Sequence, residues 1–106
     1  MRVTLDQIQN IHEVLRFFFR QTPYRLYLYG SRVQDHLKGG DFDLLILTDN
    51  EGLKVFREHE LDILVQVKKK PHICQRKIDL KAVTEEDLEQ KPFFKMLAQE
   101  IVELKI

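Results

Sequence analysis

Asp41 and Asp43 stand two apart at the head of the segment Asp41-Phe42-Asp43-Leu44-Leu45-Ile46-Leu47-Thr48. The almost continuous apolar run predicts a strand over Asp41 to Thr48 buried on both faces. Residues two apart on a strand project from one face, so both carboxylates point one way while Phe42 and Leu44 anchor the other. Adjacent like charges on a buried strand repel and raise each other's pKa. A divalent cation removes that conflict. Mg²⁺ held by one or two carboxylates together with substrate phosphates is the arrangement such a pair suits.

Gly30-Ser31 follows a short strand expected over Arg25 to Tyr29 and leads into a helical first turn through Arg32-Val33-Gln34. Glycine lets the backbone approach a ligand closely, and a helix N-terminus favours an anion. Phosphate donors beside a carboxylate pair describe a nucleoside triphosphate site. Arg32 can meet a phosphate or pair with an acid in the loop, and Tyr29 reads as a core residue rather than a base-stacking platform. Asp79 is the candidate third carboxylate of a two-metal site. It lies on a strand expected over Lys77 to Val83, where Ile78 and Leu80 face one way and Asp79 and Lys81 the other. Asp49, Asp62 and Asp87 are weaker candidates, at a strand end, on a helix and in a cap.

These residues need a scaffold, and the rest of the chain supplies its elements. Thr4 and Gln7 have capping-box form, ahead of Ile8, Ile11, Leu15, Phe18 and Phe19 at helical spacing, a helix that ends before Thr22-Pro23. His12 and Glu13 are read as solvent-face residues of that helix. A second helix is expected from about Asn50 to Lys70, anchored by Leu53, Phe56, Leu61, Leu64 and Val65. The Lys68-Lys69-Lys70 run at its end suits the helix dipole and needs no ligand. Thr84 caps Glu85-Glu86-Asp87, and a final amphipathic helix carries Phe94, Leu97, Ile101 and Leu104, whose stripe packs in the core or partly docks a partner. The order is that of a small α/β (α+β) structure, a mixed sheet with helices packed on it.

The 106 residues and 12.7 kDa read as a single domain spanning residues 1–106. Seventeen Lys+Arg balance seventeen Asp+Glu, which argues against a protein that coats nucleic acid through a basic excess. Cys74 is the only cysteine, so no internal disulfide forms and a reducing compartment is expected. No stretch approaches the ~20 apolar residues that cross a bilayer, and Met1 to Asp6 lacks a signal-peptide core, so a cytoplasmic location is expected. His72 and Cys74 lack a second ligand pair at zinc-like spacing. His12, His36 and His59 are scattered.

Gly30-Ser31, the spacer, Asp41-Phe42-Asp43 and Ile78-Asp79-Leu80 together resemble the signature of the DNA polymerase β nucleotidyltransferase superfamily, in its minimal branch. The resemblance spans Tyr24 to Val83. It implies the nucleotidyltransferase fold and transfer of a nucleoside monophosphate, AMP from ATP above all, to an acceptor hydroxyl with release of pyrophosphate. Mg²⁺ is the implied cofactor, with Mn²⁺ a substitute. Carried over, Gly30 and Ser31, with Arg32 beside them, bind the nucleotide; Asp41 and Asp43 ligate both metals; and Asp79 is the third ligand and the proton acceptor. Two departures stand out: nine residues separate Ser31 from Asp41 where ten is commoner, and Gly39-Gly40 stands where a Ser often does. Minimal members often pair with a helical HEPN-type partner in toxin–antitoxin systems, and some adenylylate it. A non-catalytic, antitoxin-like binding module that neutralises such a partner is the alternative, and a degenerate scaffold a third.

Overall fold

The structure is a computed structural model and describes residues 4–29, 42–71, 73, 77–91 and 101–105. Its elements are α1 (Leu5–Phe18), β1 (Tyr24–Leu28), β2 (Phe42–Thr48), α2 (Asn50–Lys68), β3 (Ile78–Val83), α3 (Glu85–Gln90) and β4 (Val102–Glu103). The strands form one sheet in the order β3-β2-β1-β4. β1 runs antiparallel to both β2 and β4, whereas β2 and β3 are parallel. Parallel neighbours need a long crossover, and α2 provides it. The outcome is the small mixed α/β sheet structure expected from the sequence.

The helix starts follow their capping residues. Thr4 and Gln7 form the expected capping box on α1, and Thr84 forms another with Asp87 on α3. Asp49 caps α2, its carboxylate accepting from the Gly52 amide at 2.9 Å. Each cap satisfies amides that the first helical turn leaves without partners.

Period-two alternation divides the sheet into two faces. On one, Leu26, Leu28, Leu44 and Ile46 meet Ile8, Ile11, Leu15 and Phe19 from α1 and its end, and Phe56, Ile63 and Val67 from α2. Ile78, Leu80 and Ala82 of β3 pack on that same core. Burying one such side chain contributes about 1.5–3 kcal/mol, so this layer is the main source of cohesion. On the other face Tyr29, Leu45 and Val83 form a smaller cluster with Leu88 of α3 and Ile101. Among the described residues no helix is long and apolar enough to cross a membrane.

Three expectations need correction. Ile101 and Leu104 do not belong to a final amphipathic helix: Val102–Glu103 is a strand paired with β1, and the Leu104 amide bonds to the Leu26 carbonyl at 2.8 Å. Leu104 is buried in the main core, so it offers nothing to a docking partner. Phe94 and Leu97 lie outside the described residues. On α2, Leu61 and Val65 are exposed, while Ile63 and Val67 fill the core beside Phe56. Two apolar series with the same spacing run along α2, and contact with α1 and the sheet selects one.

His12 is the third correction. It is buried, not on the solvent face. Its Nε2 lies 2.8 Å from the Leu104 carbonyl and its Nδ1 2.7 Å from the Tyr24 hydroxyl. A carbonyl only accepts, so Nε2 carries the proton and Nδ1 accepts from Tyr24. The ring thereby ties α1 to β1 and to the end of β4. Glu13, its neighbour, is exposed as expected and pairs with Lys70 at 2.6 Å.

Candidate active site

The sheet's register places the carboxylate strands. Asp43 on β2 and Asp79 on β3 are register partners across the parallel ladder. Leu44 and Ile46 face α1 and α2 and Leu45 the opposite cluster, so alternation puts Asp43 on the face away from α1 and α2. Asp79 shares that face, with Ile78 and Leu80 directed at the main core. Neighbouring strands lie about 4.8 Å apart, so the two acidic positions are immediate neighbours. The Tyr29 amide bonds to the Asp43 carbonyl at 2.9 Å and extends the β1–β2 ladder by one step. Asp41, Gly30, Ser31 and Arg32, together with the short helix expected after Gly30-Ser31, lie outside the described residues. His36, His72 and Cys74 do too.

Two further side chains join Asp79 on this face. The Tyr29 hydroxyl donates to Asp79 Oδ2 at 3.0 Å. Lys81 Nζ donates to the same Oδ2 at 2.8 Å and to the Tyr29 oxygen at 3.0 Å. The Tyr29 ring is buried, as a core residue should be, but its hydroxyl is engaged at the site. Neither Tyr29 nor Lys81 stood out as part of a site in the sequence. The available signal was the Asp79-x-Lys81 alternation, which sets opposite charges two apart on one strand face.

The electrostatics of this cluster have clear causes. The hydrogen bond from Lys81 holds the Asp79 carboxyl below the usual carboxylate range, against a smaller opposing effect of burial. The bond to Asp79 raises Lys81 above its ordinary value, reinforced by Tyr29. Burial, first among several causes, raises the Tyr29 phenol. The Asp79 side chain keeps 54% of its surface exposed and that of Lys81 36%. An ion pair this exposed contributes about 0–1 kcal/mol, so the cluster fixes a carboxylate's position rather than the fold.

Carboxylate oxygens from Asp43 and Asp79 on adjacent strands are the hard donors that Mg²⁺ or Mn²⁺ takes. Among the described residues no group of three His, Cys, Asp or Glu side chains could hold an ion, and Asp41 is not one of those residues. A cavity of about 450 Å³ lies at the opposite end of the sheet, lined by Tyr24, Thr48, Asp49 and Thr84. Glu85 and Glu86 also line it, and Asp49 and Thr84 already cap the helices there, so it does not suit a phosphate.

No curated protein matched the chain in sequence. A family model, Nucleotidyltransferase domain, matches residues 8–105. That span takes in the mixed sheet, both register-paired aspartates and the Leu104 that closes the core. By this match and its fold, the chain belongs to the nucleotidyltransferase domain family of the DNA polymerase β superfamily.

Proposed function

We propose that this nucleotidyltransferase moves a nucleoside monophosphate, AMP from ATP, onto a hydroxyl of a protein or other acceptor. The acceptor oxygen bonds to the α-phosphorus, the bond to the bridging oxygen breaks, and pyrophosphate leaves. Asp41, Asp43 and Asp79 would hold the divalent cation, Mg²⁺ or Mn²⁺, and Gly30 and Ser31 with Arg32 the triphosphate. A bound cation would neutralise the crowded carboxylates and offset negative charge on the reacting phosphate. The observation that carries the reading is the register pairing of Asp43 with Asp79 on one sheet face. Asp79 is the candidate acceptor of the hydroxyl's proton. It is held ionised, and its two bonds to Tyr29 and Lys81 both use Oδ2 and not Oδ1.

A helical HEPN-type protein is the partner we favour. The test incubates the purified chain with host extract and each α-labelled nucleoside triphosphate in Mg²⁺, with EDTA as control. Label on one protein or RNA band, strongest with ATP and lost with EDTA, is the expected result. Absence of label under every nucleotide would favour the non-catalytic binding module.

A further inference from the structure

We propose that Lys81 is an internal counter-ion of Asp79 which a divalent cation must displace, so that Lys81 lowers the site's affinity for metal. The inference rests on the nucleotidyl-transfer reading of the same site.

Lys81 occupies a position that packing alone does not explain. Its register partner is Leu45, and Val83 follows two residues along the same face, both in the smaller apolar cluster. An apolar residue would continue that cluster. Instead the side chain sends its ammonium back toward Asp79, 2.8 Å from Oδ2, with the Tyr29 oxygen at 3.0 Å and the ring centroid at 5.6 Å. Like charges on directly opposed strand positions destabilise a sheet, and Asp43 with Asp79 is such a pair. One positive charge from Lys81 offsets part of that repulsion without any ion.

The same placement opposes a metal. A divalent cation coordinated by Asp79 would sit within a few ångströms of the ammonium, and like charges at that range repel. The Lys81 side chain is 36% exposed, and its flexible stem lets the ammonium move into water. Tyr29 differs because its buried ring holds a neutral hydroxyl on Oδ2. It can keep orienting the carboxylate after Lys81 leaves, which makes Tyr29 a positioning residue and Lys81 a competitor.

The experiment measures Mn²⁺ binding to the full chain in the presence of α,β-methylene-ATP, as the loss of the free-ion electron paramagnetic resonance signal beyond that caused by the nucleotide alone. No turnover is involved. Lys81→Met, which keeps stem length and suits Leu45 and Val83, should tighten Mn²⁺ binding roughly fivefold, the scale of one exposed ion pair. Lys81→Gln should do the same to a smaller degree. Tyr29→Phe should not tighten it, and Lys81→Met on an Asp79→Asn background should have no effect. Unchanged or weaker binding in both Lys81 variants, with binding still lost in Asp43→Asn, would overturn the counter-ion role and leave the nucleotidyl-transfer reading intact. No Mn²⁺ binding by the unaltered chain, or full binding by Asp43→Asn, would overturn that reading itself.

Discussion

Asp43 and Asp79 face each other across the parallel β2–β3 ladder, and the Asp43 carbonyl also receives the Tyr29 amide at 2.9 Å. One residue thus links β1, β2 and β3 at the end of the sheet where the acids stand. Asp43→Asn keeps the shape and removes a charge. Transfer should fall by at least about a hundredfold, the scale of losing one electrostatic contact to a reacting group. The urea midpoint should hold or rise, because an opposed like charge has gone. A folded variant with full activity would remove Asp43 from the site.

His12 ties stability to pH. Burial, the largest influence, lowers its pKa from the ordinary 6.5, while the Leu104 carbonyl opposes the shift. The unfolded chain therefore takes up the proton more readily than the folded one. Stability from neutral His12 is fully present above the unfolded value of 6.5 and is lost as pH falls through the lower folded value. Urea midpoints across that interval should drop toward acid, and the part due to His12 should vanish in His12→Gln. An identical pH slope in that variant would assign the effect to other groups.

Gly52→Ala should destabilise the chain, although alanine ordinarily favours a helix by about 1 kcal/mol. A Cβ at Gly52 would overlap Thr48 Oγ1 and lie 2.8 Å from Thr48 Cβ and 2.9 Å from Thr22 Cγ2. Thr48 cannot yield freely, since its hydroxyl donates to the Pro23 carbonyl at 2.8 Å. Overpacking of this kind costs about 1–3 kcal/mol, which exceeds the propensity gain. Thermal melts decide the sign.

Leu104→Ala tests whether the end of the described chain is core or surface. Leu104 is 2% exposed within the main cluster, so truncation should cost about 2–5 kcal/mol. A surface-like change below about 0.5 kcal/mol would contradict the β4 placement.

How legible these features were depends on whether local or distant contacts decide them. The caps at Thr4 and Thr84 need only a partner three residues away, and both formed as read. Leu44, Leu45 and Ile46 needed only their composition to mark a strand buried on both faces. Alternation likewise placed Asp79 and Lys81 together. Ile101 and Leu104 misled, because a three-residue interval fits a helix while β4 exists through pairing with Tyr27 and Leu28, far away in the chain. His12 falls within the Ile8, Ile11 and Leu15 stripe, and that position signalled burial that its polarity obscured. Its partners Tyr24 and Leu104 come from distant strands that no local pattern announces.

The most direct measurement of the central claim compares α-labelled with γ-labelled ATP in one Mg²⁺ reaction, using the unaltered chain and Asp79→Asn. Nucleotidyl transfer predicts that only the α-label stays on the acceptor, and that Asp79→Asn, still folded, transfers at least about a hundredfold less. Transfer of the γ-label instead, or equal α-label with Asn at position 79, would contradict the account.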